Sequence, residues 1–314
     1  MNFVIFVIAM GALTWGAQLL IGQSERIALK LKISEFIIGA TLIALGTSLP
    51  EMGSSIAASY VNKPQIAIAN VIGSNIINIT LVLASVFLIA TKMNPSRDFF
   101  AKDSTWALLP ALIFLLMILD GSITRFDGAL LLLLMGAYIL FLMQDAKNLV
   151  EEHIEEHIEE IDIRKFSWTK TFLMILGALI LIVIGAHFTI ESASEIAKTF
   201  GVSEWTIGIV LVALGTSLPE FVISITASFK GKIDMAIGNI IGSNMANTSV
   251  VLGTAALTKP MPIDGMSYIF DIATMIVATF LLVFIMATKL YNKSAGIGLI
   301  IILGLFLNNT LQHL

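Results

Sequence analysis

The sequence predicts an all-α polytopic membrane protein of ten transmembrane helices, arranged as two related five-helix repeats. Three observations carry this prediction. The first is composition: the 314 residues are 57% hydrophobic and 13% charged, with a mean hydropathy of +0.93. A soluble domain carries about 25% charged residues. The second is the spacing of apolar stretches. A spanning helix needs about 20 mostly apolar residues, and the chain offers such stretches at roughly 2–22, 34–60, 66–91, 104–120, 125–144, 168–190, 204–229, 235–258, 267–288 and 294–311. The third is an internal repeat. Residues 39–51, GATLIALGTSLPE, match residues 208–220, GIVLVALGTSLPE, and residues 70–78, NVIGSNIIN, match residues 239–247, NIIGSNMAN. Both matches share one offset of 169 residues, which also relates Gly16 to Gly185 and Ser34 to Ser203. Two homologous halves explain an uninterrupted offset.

Taken in order, the first stretch reads as a transmembrane helix. It lacks the basic start of a secretory signal, and its apolar run is too long for one. The separators are short and carry breaker signals: Asn62-Lys63-Pro64, Asn94-Pro95, Asp120-Gly121 and Lys259-Pro260. Asp120, Asp127 and Asp264 each precede a glycine and read as turn residues. Five spans per half is an odd number, so the second half enters the membrane from the opposite side. The halves are then inverted-topology repeats, a transporter architecture. Of the eighteen Lys and Arg residues, only Lys63, Arg125, Lys198 and Lys259 follow even-numbered spans. The basic excess places the other loops in the cytoplasm and both termini outside; the expected location is the plasma (inner) membrane. The expected organisation is residues 1–144 as the first repeat, 145–167 as an acidic cytoplasmic linker and 168–314 as the second repeat.

The linker contains EEHIEEHIEEID. His153 and His157 are four apart and share a helix face, which raises a metal or regulatory site against a solvated tether; charge runs favour the tether. The net charge of −4 is small and points away from nucleic acid. There is no cysteine, which excludes disulfides and thiol chemistry.

The repeated motifs carry the chemistry. Glu51 and Glu220 are carboxylates inside apolar spans, and ionisable residues at membrane depth are functional-site candidates. Thr47 and Glu51 are four apart on one helix face, with Ser48 beside them. Pro50 has no N–H and clashes with the carbonyl four residues back, so a break is expected around Ala44–Gly46, with freed backbone carbonyls facing a polar cavity. Thr216, Ser217, Pro219 and Glu220 repeat the set, with carbonyls near Ala213. In the second motif Ser74 and Asn78, like Ser243 and Asn247, are four apart, and Gly73 and Gly242 permit close backbone approach. These donors are all hard oxygens, suited to Na⁺ or Ca²⁺ and unsuited to soft transition metals. Two carboxylates among neutral oxygens balance one Ca²⁺, or hold two or more Na⁺. The broken helices would then frame a central ion site. Asn70, Asn75, Asn239 and Asn244 read first as interhelical hydrogen-bonding groups. Trp15, Gln18 and His187 read as packing or interface residues, and Glu25, Glu191 and Glu195 as solvated helix-end charges.

GTSLPE followed by G-N-(V/I)-I-G-S-N, repeated in two five-helix halves, resembles the sodium/calcium exchanger branch of the calcium/cation antiporters. The likeness implies a central cluster of spans 2, 3, 7 and 8, against which tilted spans 1 and 6 slide to alternate access. It implies ion-ligand roles for Thr47, Ser48, Glu51, Ser74, Thr216, Ser217, Glu220 and Ser243, and for the carbonyls of Ala44 and Ala213. Potassium-dependent relatives carry an acidic residue where this chain has Asn78 or Asn247, which argues against potassium co-transport. Proton-coupled relatives show G-N-x-x-E in place of GTSLPE, which favours Na⁺ as the coupling ion.

The expected function is therefore Na⁺/Ca²⁺ antiport by a monomer in the lipid bilayer, extruding Ca²⁺ and using no cofactor. Exchange of Ca²⁺ or another divalent cation against H⁺ is the alternative. A membrane-embedded Ser/Glu enzyme would need a base beside one nucleophile, and neither Ser has a His or Lys next to it.

Overall fold

The computed structural model describes residues 2–90, 95–152, 166–199, 215–263, 265 and 268–312, with the side chains of 148–152 left aside. The chain is almost entirely helical: α1 Asn2–Leu31, α2 Glu35–Thr47, α3 Leu49–Tyr60, α4 Pro64–Ile89, α5 Phe99–Leu119, α6 Arg125–Glu152, α7 Trp168–Thr199, α8 Leu218–Phe229, α9 over 233–258, α10 Ile269–Thr288 and α11 Lys293–Gln312. A two-residue antiparallel bridge, Ser122–Ile123 with Met261–Pro262, ties the α5–α6 turn to the loop after α9.

Among the described residues, seven helices are long and apolar enough to cross a membrane, or eight if the bent pair α2–α3 is one span. Ten were expected. The difference has two sources. The residues preceding Gly215 in the seventh expected span lie outside the described residues. Helix α9 is long enough but carries Asp234, Asn239, Ser243, Asn244, Asn247, Thr248 and Ser249, and this polar load lowers its hydropathy. Several helices also run past their expected ends: α1 to Leu31, α6 to Glu152 and α7 to Thr199. Hydropathy marks the lipid-buried part of a helix, while its backbone hydrogen bonds continue through the polar interface.

Local chemistry sets the ends. Ser34 accepts a hydrogen bond from the Ile37 N–H and starts α2. Asp98 does the same for Ala101 at the start of α5. Pro64 begins α4, where a missing N–H costs nothing. Gly121, at φ +84°, makes the turn expected after Asp120. Asp127 is different: it lies in the first turn of α6 and accepts from the Thr124 N–H and hydroxyl at 2.8 Å, so it caps a helix start.

Helices α4 and α9 form the centre. In α4, 72% of the most apolar window is buried, against 33% in α1 and α7. Helices α1 and α7 pack along each other at the periphery. A Cβ on Gly16 would lie 3.0 Å from the Ala178 carbonyl, and one on Gly185 would lie 2.8 Å from the Leu13 nitrogen. Their other faces expose Phe3, Val7, Phe172, Leu173 and Ile180, as a lipid-facing surface does. Helices α2 and α9 touch backbone to backbone: a Cβ on Gly242 would sit 2.4 Å from the Ala40 carbonyl oxygen. Small residues at helix contacts let membrane helices approach this closely.

Candidate functional site

The site begins with two helix breaks. Helix α2 ends at Thr47, Ser48 takes φ −83° and ψ 7°, and α3 starts at Leu49 at an angle of 44°. Ser217 repeats this backbone at φ −85° and ψ 4° before α8. The break thus lies at Thr47–Ser48, one turn later than the expected Ala44–Gly46. Pro50 explains the shift: it sits in the first turn of α3, where its lost N–H needs no partner. The Ala44 carbonyl is not freed. It accepts from the Ser48 N–H and the Thr47 hydroxyl, both at 3.1 Å. Ala213 lies outside the described residues, as do His153 and His157 of the linker.

The breaks place Glu51 and Glu220 in the first turns of α3 and α8. A helix N-terminus carries partial positive charge, which favours a carboxylate there. Both are buried, at 1% and 0% exposure. Ser48, three residues before Glu51, donates from Oγ to Glu220 Oε1 across the halves at 3.4 Å.

Neutral oxygens from α4 and α9 complete the cluster. Thr47 Oγ1 lies 3.4 Å from Ser243 Oγ, and Thr216 Oγ1 lies 3.4 Å from Ser74 Oγ. These contacts are the same contact read twice, because the offset of 169 turns one into the other. Asn70 donates to Ser55 Oγ at 2.9 Å and Asn239 to Ser224 Oγ at 3.0 Å, again a matched pair. Asn75 donates to Thr248 Oγ1 at 2.9 Å, so these asparagines are interhelical ties, as expected. Each last asparagine of the motif, Asn78 and Asn247, opens a π-helical segment, 78–83 and 247–251. Such wide turns are frequent at functional sites. The sequence shows no signal for them beyond the polar residues themselves.

Oxygens without partners mark the centre. Both carboxylate oxygens of Glu51, Glu220 Oε2, Ser217 Oγ, Asn78 Oδ1 and Asn247 Oδ1 are buried and have no hydrogen-bond partner among the described residues. Buried polar groups are nearly always satisfied, and more strictly so in a bilayer. A concentration of unpaired hard oxygens is a ligand set for a hard cation, and Ca²⁺ takes six to eight of them. Among the described residues no third His, Cys, Asp or Glu joins the two carboxylates. A cavity of about 290 Å³ reaches Thr216 between Pro50, Pro219 and the α7 residues Val183, Ala186, His187 and Ile190.

The other polar residues sort by place. Trp15 and Gln18 are exposed, and His187 pairs at 3.9 Å with Glu191. Glu25 is not simply solvated: Lys232, at the start of α9, donates to Glu25 at 2.5 Å and to Glu35 at 2.6 Å. A second ionic cluster was not foreseen from the sequence. Arg97 binds Asp103 at 2.6 Å and Asp145 at 2.5 Å and lies 4.3 Å from the Phe36 ring centre, while Lys102 binds Asp145 at 2.8 Å. These residues are scattered over four helices or loops, with no motif to join them.

Comparison with known proteins gives the family. The family model described as "Sodium/calcium exchanger protein" matches residues 1–144 and 170–311. The chain is 32% identical over 273 residues to the inner membrane protein YrbG of Escherichia coli, covering 86% of this chain and 83% of that one. It is 34% identical to the putative antiporter CaxA of Alkalimonas amylolytica, covering 85% and 84%. It is 31% identical to the sodium/calcium exchanger MaX1 of Methanosarcina acetivorans, covering 91% of each. Among solved structures, the sodium-calcium exchanger NCX_Mj soaked with Na⁺ and Sr²⁺ superposes with a TM-score of 0.79 at 29% identity, covering 98% of this chain and 99% of that one. MaX1 and NCX_Mj are named as exchangers and CaxA as a putative antiporter, transporters rather than enzymes. The chain is an integral membrane protein and belongs to the sodium/calcium exchanger family.

Proposed function

We propose that this protein is a secondary active antiporter that exchanges Na⁺ for Ca²⁺ across the plasma membrane and extrudes Ca²⁺. The observation that carries the reading is the pair Glu51 and Glu220, both buried in the first turn after matched helix breaks, linked across the halves by the Ser48 Oγ to Glu220 Oε1 hydrogen bond, with carboxylate oxygens that have no hydrogen-bond partner among the described residues. In this reading both carboxylates bind one Ca²⁺. Thr47, Ser48, Ser74, Asn78 and their counterparts Thr216, Ser217, Ser243 and Asn247 supply neutral oxygens. Na⁺ ions use the same neutral oxygens and share the carboxylates. NCX_Mj, of similar fold, has been studied soaked with Na⁺, Ca²⁺ and Sr²⁺.

Antiport follows from electrostatics. A site without cations would carry two unpaired charges at membrane depth, which disfavours crossing without cargo. Ten spans in two inverted halves, 1–144 and 168–314 joined by a cytoplasmic linker at 145–167, give a monomer two equivalent ways to face the membrane. The α1–α7 pair, with Gly16 and Gly185 at its contact, is the layer that slides.

The test is ⁴⁵Ca²⁺ uptake into proteoliposomes. Internal Na⁺ should drive uptake at matched pH, and replacing it with choline should stop it. A second reading, exchange against H⁺, is favoured by one observation: a proton on either of two repelling buried carboxylates also relieves the repulsion. Uptake driven by a pH gradient and indifferent to Na⁺ would replace the first reading with the second.

A further inference from the structure

Asn78 and Asn247 pose a problem that the carboxylates do not. A carboxylate presents oxygen from either end, whereas an amide presents oxygen from one end and N–H₂ from the other. The two ends have nearly the same shape. Turned one way the side chain is a cation ligand; turned by half a rotation it repels the ion it should bind. Something must hold each amide in one orientation.

The geometry assigns that task to Asn75 and Asn244, acting crosswise between the halves. Asn78 Nδ2 on α4 donates to Asn244 Oδ1 on α9 at 3.0 Å. Asn247 Nδ2 on α9 donates to Asn75 Oδ1 on α4 at 3.2 Å. Each N–H₂ group is thereby turned toward the opposite helix, and each Oδ1 is left buried, with no partner among the described residues. The holders are fixed in turn. Asn75 Nδ2 donates to Thr248 Oγ1 at 2.9 Å, and Asn244 Nδ2 donates to the Asn75 carbonyl at 3.3 Å. This last bond breaks the repeat for a legible reason. The counterpart of Thr248 is Ile79, which offers no side-chain acceptor, so Asn244 turns to a backbone carbonyl. Asn75 and Asn244 border a cavity of about 10 Å³ with Trp106, Thr248, Met275 and Thr279. That is room for one water and not for a hydrated cation. Their route to an ion is through the amides they hold, which makes them positioning residues.

The inference rests on the antiport reading and deepens it: the ligand oxygen from each half is aimed by the other half. It predicts a specific pattern of coupling. In proteoliposomes, Asn75→Leu or Asn244→Leu should raise the Ca²⁺ KM roughly tenfold, because a buried amide loses its only acceptor and its orientation. The maximal rate should change by less than about twofold. In an Asn247→Leu background, Asn75→Leu should have little further effect, and likewise Asn244→Leu in an Asn78→Leu background. The same-helix pairs, Asn75 with Asn78 and Asn244 with Asn247, should instead be close to additive. Should the leucine variants not fold, alanine variants run the same cycles, with Ca²⁺-dependent thermal shift in detergent as a second readout. Coupling along each helix rather than across, or additivity in all four pairs, overturns the assignment. A wild-type protein without Na⁺-driven Ca²⁺ uptake overturns the antiport reading itself, a result read before any variant is made.

Discussion

Among the described residues two pairs of acidic side chains are buried, and they are treated in opposite ways. Asp103 and Asp145 are met by resident cations: Arg97 reaches both, and Lys102 reaches Asp145. Burial opposes the charge on Arg97, yet the hydrogen bonds and charges of Asp103 and then Asp145 hold its pKa above even the ordinary arginine value. Among the described residues Glu51 and Glu220 meet no resident cation, and three of their four carboxylate oxygens have no hydrogen-bond partner. A carboxylate with an arginine is fixed structure. A carboxylate buried without one is provided for by something that comes and goes. The first pair staples α5, α6 and the loop before α5; the second pair, in our account, holds the cargo.

The comparison can be broken at either end. The largest expected effect is at the second pair. Glu51→Gln or Glu220→Gln should each abolish Na⁺-driven ⁴⁵Ca²⁺ uptake. Either should leave the apparent melting temperature in detergent unchanged or raised, since a repelling buried charge has been removed. Near-normal uptake by either variant would refute the shared site.

At the first pair the pattern reverses. Arg97→Met leaves Asp103 buried without its partner and should cost about 3–5 kcal/mol of stability, read as a lowered melting temperature. Protein that still folds should keep a wild-type Ca²⁺ KM. A changed KM with unchanged stability would show that the cluster acts on the ions and not on the fold.

The smallest effect concerns Lys232. Burial opposes its charge, but hydrogen bonds and charge from Glu25 and Glu35 raise its pKa above the ordinary lysine value of 10.5. A raised lysine pKa contributes stability fully present below 10.5 and lost as pH rises through the folded value. Lys232→Gln should therefore lower the melting temperature slightly across pH 6–9, with no pH dependence of its own in that window. The side chain is 24% exposed, so solvent screening keeps the effect small. A pH-dependent difference between Lys232→Gln and wild type within that window would contradict the assignment.

The two regions also differ in how far the sequence discloses them. The second is legible because it is duplicated: Thr47, Glu51, Ser74 and Asn78 recur 169 residues on, and each polar residue stands out against apolar neighbours. The interhelical role of Asn70, Asn75, Asn239 and Asn244 follows from the same contrast. The first region has no copy. Arg97, Lys102, Asp103 and Asp145 sit at span ends, where charges are ordinary, and only tertiary packing brings them together. The position of the helix break was off by a turn for a related reason. Proline dictates that a helix must break, but whether it ends the helix before or begins the next is decided by which end can shed an N–H at no cost. The π turns at Asn78 and Asn247 are backbone features with no compositional mark.

The central claim is that Glu51 and Glu220 hold one divalent cation between them. It is tested most directly by locating Sr²⁺ or Ca²⁺ in crystals of the protein by anomalous scattering. The account predicts one divalent ion within about 2.3–2.6 Å of carboxylate oxygens from both residues, displaced when Na⁺ is raised. An ion bound to only one of the two, or seated away from both, would contradict it.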